Sequence, residues 1–145
     1  DAQESRGLGD VYKRQVFAAG LAYLSARGDI PREFTLVPAP TRPRSARARG
    51  GDPVAAVCHT AARRQRVGVC AALSMGQSTA DQSELNAQDR WANLQGRVRV
   101  HAPIARAPAL LADDVVTTGA TLAASIAALQ AAGVEVCGAL VFADA

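Results

Sequence analysis

Aromatic residues make up only 4% of the 145-residue sequence. That is too few for an extended platform on which nucleic-acid bases stack in succession. Cysteines number three, Cys58, Cys70 and Cys137, at wide spacing. No Cys-x-x-Cys pair is there to seed a zinc knuckle, and an odd count gives no support to a disulfide framework. Buried free thiols in a reducing compartment are the expectation. No apolar run approaches the roughly 18 residues that a membrane span needs. The N-terminus also lacks a basic stretch followed by an apolar run and a small-residue cleavage site. The expected location is the cytoplasm. Finally, no basic residue follows Arg106, against four acids in the same stretch.

What is present is the composition of one globular domain, 49% hydrophobic and 20% charged. A chain of this length buries about two-thirds of its unfolded surface, enough for a core without covalent staples. The net charge of +3 hides a strong asymmetry. Residues 1–31 balance four basic groups against four acidic ones, whereas residues 32–106 carry twelve basic against five acidic. A basic middle beside an acidic C-terminal third points to an anionic partner, a phosphate or nucleic acid, that could also bring a metal ion.

The first fifteen residues, DAQESRGLGDVYKRQ, show no clean period and read as a leader or an artefactual segment outside the fold, with the domain running over 16–145. From there the pattern is regular. Phe17, Leu21 and Leu24 form a helical stripe closed by Gly28. FTLV is a short strand stopped by Pro38 and Pro40. After an arginine-rich loop, Asp52 and Pro53 open a helix whose buried face is Val54, Val57, Cys58 and Ala61. VGVCAAL reads as a buried strand, and the polar stretch after it as a mobile loop with at most a weak helix near residues 86–92. RVRVH alternates, with Val98 and Val100 on one face. ALLA is a buried strand, Leu122, Ile126 and Leu129 a helical stripe capped by Gly133, and residues 134–143 a last strand. Strands alternating with helices predict an α/β fold with a mostly parallel central sheet flanked by helices.

The chemistry concentrates in ALLADDVVTTGATLAASIAAL. A buried strand there delivers two consecutive carboxylates, Asp113 and Asp114, at the end of the strand where open α/β sheets collect ligands. Thr117, Thr118, Gly119, Ala120 and Thr121 then start a helix, and bare N–H groups at such a terminus cradle an anion without any basic side chain. Carboxylates and an anion cradle are contradictory for a simple anion. They are consistent for a ligand with a diol at one end and a phosphate at the other. A solvated acidic strand end followed by a threonine cap needs one hydroxyl, not a run of small and hydroxyl residues.

Here the sequence resembles a known family. LLADDVVTTGATL closely matches the phosphoribosyl diphosphate (PRPP) signature of type I phosphoribosyltransferases. LVPAP, RARGGDPV and DRWANLQGRVRV resemble the ComF/GntX branch in its actinobacterial style. The resemblance implies a Rossmann-like type I phosphoribosyltransferase fold, an N-terminally incomplete chain, and an enzyme of pentosyl transfer. Such an enzyme moves phosphoribosyl from PRPP to an acceptor, here unidentified, with release of pyrophosphate and help from Mg²⁺. By the same resemblance Asp113 and Asp114 bind the ribose hydroxyls and stand nearest the Mg²⁺ that PRPP carries. Residues 117–121 take the 5′-phosphate. Ala39, Pro40, Thr41 and Arg42 contact pyrophosphate, with Arg44, Arg47 and Arg49 close behind. A flexible loop around residues 77–93 brings Arg90 and Asn93 over the substrate, Arg90 joining the acids in catalysis.

The charge distribution agrees, since the basic surplus lies in the two loops that would face pyrophosphate. Arg63, Arg64 and Arg66 read instead as cations at a helix C-terminus, and His59 and His101 as bystanders. Trp91 is either a stacking residue or a packing anchor. The alternative function is a non-catalytic PRPP or nucleotide sensor, or a DNA-uptake accessory of the ComF type, with single-stranded DNA as partner; the family also admits a homodimer. A dinucleotide binder is excluded, because no Gly-x-Gly-x-x-Gly follows a strand.

Overall fold

The computed structural model describes residues 2–40, 53–76, 97–104, 106–116 and 118–144. Helix α1 spans Ala2–Arg27, strand β1 Thr35–Pro38 and helix α2 Pro53–Gln65. Then follow β2 (Gly68–Val69), β3 (Leu73–Met75), β4 (Val98–Val100), β5 (Ala109–Val116), helix α3 (Ala120–Ala131) and β6 (Val136–Asp144). The expected α/β architecture is present: β2, β1, β5 and β6 form a parallel sheet in that order, and β3 and β4 an antiparallel ribbon beside it.

Alternation along β5 distributes the core to the two faces of the sheet. Leu110 and Ala112 join Leu36 of β1 with Phe17 and Leu21 of α1 and Val54, Cys58 and Ala61 of α2. Ala109 and Leu111 pack instead with Val37, with Leu73, Met75 and Val98 of the ribbon, and with Ala124 and Leu129 of α3. Both faces of the central strands are thus covered, which is why these strands read as continuous apolar runs rather than alternating ones.

Two expectations need correction, one for a strand and one for the thiols. Helix α1 runs from Ala2 through the segment before Val16. Tyr12 meets Phe142 edge-on at 6.4 Å between ring centres, and the Lys13 ammonium lies 5.9 Å from the centre of that ring. A helix nucleated on the Phe17–Leu21 stripe propagates through Ala, Gln, Glu and Arg, and two glycines weaken it without stopping it. VGVCAAL was expected to be one strand, and it divides between two sheets. The Cys70 N–H makes the last bond to β1, at 2.9 Å to the Leu36 carbonyl, and the chain then turns into β3. Of the three thiols only Cys58 is fully buried, although all three are free. Burial pushes the Cys137 thiol above its ordinary range; a backbone hydrogen bond opposes this and Glu135 adds to it. Its Sγ donates to the Ala109 carbonyl at 3.3 Å.

The three helices among the described residues end on the same cap. The N–H groups of Asp29, Val67 and Val134 reach back to the carbonyls of Leu24, Ala62 and Leu129 at 3.0–3.1 Å, the long bond of a Schellman motif. The left-handed residue this requires is glycine after α1 and α3, but after α2 it is Arg66, at φ 56°. A side chain in that conformation costs about 1–2 kcal/mol. Arg66→Gly is therefore expected to stabilise the protein by about 1 kcal/mol, after the greater unfolded-state freedom of glycine is subtracted. An unchanged or lower urea midpoint would contradict that.

Candidate functional site

The order β2-β1-β5-β6 contains a switch point. From β1 the chain crosses through α2 to β2 on one side, and from β5 it crosses through α3 to β6 on the other. The loops leaving β1 and β5 therefore part company, and a crevice opens beyond the carboxyl ends of these two strands. The register shows what borders it. Pro38 of β1 stands opposite Ala112, and the Ala39 N–H donates to the Ala112 carbonyl at 2.7 Å. Pro40, buried like Ala39, has no N–H to give. β5 runs on beside β6, with Asp113 opposite Val141. Asp113 and Asp114 are therefore the first residues of β5 to pass the end of β1.

Both acids are half-buried. The Asp113 side chain accepts the Asp114 N–H at 2.8 Å, which fixes its carboxylate against its own strand. Beneath them is a small cavity of about 10 Å³, lined by Lys13, Phe17, Val54, Val57, Cys58 and Phe142 along with the two acids. One water fills such a space, and a sugar does not. The cavity is an apolar floor that supports the acids. It keeps the local dielectric low and so strengthens any hydrogen bond they accept.

Past the acids, Gly119 is the N-cap of α3 and sits at φ 78°, a left-handed conformation that side chains rarely adopt. It contributes no side-chain cap of its own. The Thr118 Oγ1 accepts the Ala120 N–H at a long 3.3 Å, and the Gly119 carbonyl accepts the Ala123 N–H at 3.0 Å. Among the described residues nothing else caps this terminus. Thr118 is exposed and Gly119, Ala120 and Thr121 are half-buried. The positive end of the helix dipole stands at this terminus. One helical turn on, Ser125 is fully buried and donates to the Thr121 carbonyl at 2.7 Å.

The fold thus brings together, at one strand-to-helix turn, Asp113, Asp114, Thr118, Gly119, Ala120 and Thr121. Ala39 and Pro40 stand beside them at the end of β1, but the Ala39 N–H is already engaged. Thr41, Arg42, Arg44, Arg47, Arg49, Arg90, Asn93 and Thr117 lie outside the described residues, as does Trp91. His59 and His101 are exposed. The floor residues Phe17, Val54, Val57, Cys58 and Phe142 were not foreseen as part of a site. Several of them are legible as helix stripes in the sequence, but only the packing puts them under the acids.

The sheet, its switch point and the strand-to-helix turn define an α/β fold of the type I phosphoribosyltransferase kind. The particular likeness is to the crystal structure of orotate phosphoribosyltransferase from Aeropyrum pernix, with a TM-score of 0.55 and 23% identity. The match covers 94% of this chain and 62% of that one, so the chain spans under two-thirds of the length of the protein it resembles. No family model matches the chain, and no curated protein does. No helix among the described residues is long and apolar enough to cross a membrane.

Proposed function

We propose that the chain is a PRPP-binding, phosphoribosyltransferase-like protein that transfers the phosphoribosyl group to an acceptor and releases pyrophosphate. The observation that carries this reading is the meeting of two carboxylates with a helix N-terminus whose N-cap, Gly119, supplies no side-chain cap, at the switch point of the sheet. Asp113 and Asp114 accept hydrogen bonds from the ribose diol, and the N–H groups of residues 119–121 take the 5′-phosphate. The same carboxylates favour the positive charge that grows on the sugar as pyrophosphate departs. Pyrophosphate would face the basic segment after β1. Since the Ala39 N–H is engaged and Pro40 has none, the contact falls to Thr41, Arg42 and Arg49.

Mg²⁺ suits the donors available, since it is commonly bound through one or two carboxylates together with the phosphates of its substrate. When bound it would neutralise charge on the leaving pyrophosphate. Asp113 or Asp114 would hold it on the protein side. Loop residues Arg90 and Asn93 would complete the enclosure and keep water from competing as nucleophile. The resemblance of DRWANLQGRVRV and LVPAP to ComF-like proteins favours that branch, and with it the second reading, a PRPP or nucleotide sensor or a DNA-uptake accessory.

The test is a ligand screen by thermal shift, with PRPP and Mg²⁺, nucleotides and short single-stranded DNA. PRPP with Mg²⁺ is expected to raise the melting temperature, and pyrophosphate release in the presence of candidate acceptors then separates enzyme from sensor. Single-stranded DNA binding at physiological salt without any PRPP response would overturn the enzyme reading in favour of the accessory one.

A further inference from the structure

A second crevice lies at the other end of the sheet. It opens where the chain enters β1 and β2, since Ile30, Arg32 and Phe34 lead into β1 and Val67 into β2. Asp113 and Asp114 stand past the far end of β1, so the length of that strand, roughly 13 Å of extended chain, separates the two places. The crevice has a volume of about 390 Å³. Sites that hold small molecules occupy roughly 300–1,000 Å³. Its floor is apolar: Ile30 and Phe34 are buried, and Val67 packs against the same core cluster. Over that floor stand a few polar groups, the Ser25 hydroxyl, the Gln65 amide and the guanidiniums of Arg27 and Arg32. Such a mixture is the usual make-up of a ligand site.

Positive charge dominates this end of the molecule. Residues 25–34 and 64–67 carry Arg27, Arg32, Arg64 and Arg66 against the two acids Asp29 and Glu33. Arg27 is already engaged, its Nε paired with Asp29 at 2.9 Å and its Nη1 donating to the Tyr23 hydroxyl at 2.9 Å. Among the described residues Arg32, Arg64 and Arg66 take part in no ion pair. Helices α1 and α2 both end here, and the negative ends of their dipoles, about half a charge each, oppose an anion. The N–H groups of Asp29 and Val67 already occupy the Leu24 and Ala62 carbonyls at those ends, and whole guanidinium charges outweigh the remainder. Arg66 adds a separate sign. It holds at φ 56° the left-handed conformation that Gly28 and Gly133 take after the other two helices. A cation is thus kept between two lining residues, Gln65 and Val67, at a backbone strain that glycine would relieve.

We propose that this crevice binds an organic monophosphate carrying a flat, weakly polar ring, a nucleoside monophosphate being the plainest case. Arg32 meets the phosphate, and Arg64 and Arg66 strengthen the positive field around it. The ring lies on Ile30, Phe34 and Val67. Gln65 offers both a donor and an acceptor to a heteroaromatic edge, whereas an alkyl chain would leave that amide unpaired. The site is separate from the carboxylate turn and does not depend on the PRPP reading.

The probe is adenosine 5′-monophosphate (AMP), with adenosine and inorganic phosphate as its two halves. The proteins are wild type, Arg32→Gln, Arg66→Gly and Asp114→Ala. Calorimetry gives the affinities, and heteronuclear NMR locates the ligand through the amides of Gly28, Phe34, Gln65 and Val67. AMP is expected to shift these amides and to bind Asp114→Ala as it binds wild type. Arg32→Gln should weaken AMP by about tenfold, the loss of one charge-assisted hydrogen bond. Arg66→Gly should weaken it by roughly threefold, the effect of one charge acting through water, while raising the urea midpoint. That loss then cannot come from unfolding. Adenosine and phosphate should each bind roughly tenfold more weakly than AMP, because each fills only part of the crevice. If AMP loses affinity in Asp114→Ala but not in Arg32→Gln, it occupies the carboxylate turn and the proposal is overturned. Equal affinity for AMP and either of its halves would also overturn it, as would no binding of AMP. If AMP binds at the crevice and PRPP draws no response, the crevice stands while the functional reading falls.

Discussion

Replacing Asp114 with alanine is expected to cancel most of the rise in melting temperature that PRPP with Mg²⁺ gives the wild-type chain. At a free ligand concentration about a hundred times the dissociation constant, binding to the folded state alone stabilises it by about 2.7 kcal/mol. For a chain of this size that corresponds to a rise of roughly 5–10 °C. A hydrogen bond from a sugar hydroxyl to a carboxylate contributes roughly 1.5–3 kcal/mol. Its loss consumes most of the ligand's effect, all the more because Asp114 is half-buried over an apolar floor where water replaces the bond poorly. Asp29→Ala, on the exposed turn before β1, should leave the rise intact. Equal stabilisation of wild type and Asp114→Ala by PRPP would defeat the assignment of the acids to ribose.

The second large effect concerns the support of that site. Leu111 is fully buried, and it joins the ribbon to α3 directly below the acids. Leu111→Ala is expected to destabilise the protein by about 3 kcal/mol, the lost transfer energy of the side chain plus the cavity left behind. The melting temperature should fall by roughly 6–12 °C. Leu24→Ala, at a position only half-buried beside the other core cluster, should cost markedly less. A similar loss at both positions would mean that β5 is not the centre of the core. Urea unfolding of the two variants distinguishes these outcomes.

The parts legible in the sequence are those governed by local periodicity and capping. The stripe of Phe17 and Leu21, the capping glycines at 28 and 133, and the buried run before Asp113 all stand where the pattern places them. Leu122 and Ile126, expected in the stripe of α3, are only partly buried, whereas Ala124 and Ser125 are fully so. In an alanine-rich helix several faces satisfy the same spacing, and close approach to the sheet selects the smallest side chains. The break between β2 and β3 was invisible because VGVCAAL satisfies the strand pattern throughout, and only the end of pairing at Cys70 divides it.

The candidate site divides along the same line. The acids and the turn are adjacent in the chain, so their motif could be read directly. Their floor, built from α1, α2 and β6, arises from contacts between residues far apart in sequence. Arg97 belonged, by charge alone, with the other arginines of the basic middle. That its Nε is spent on a carbonyl of its own ribbon follows only from the register of β3 against β4.

The engaged amide of Ala39 has a wider consequence. Because β1 stops pairing there while β5 continues beside β6, every bond between β1 and β5 lies behind the place where the two chain segments diverge. Evolution can lengthen, shorten or recharge the segment after β1 without breaking a strand. On the function proposed above, selectivity for one acceptor over another is thereby uncoupled from foldability.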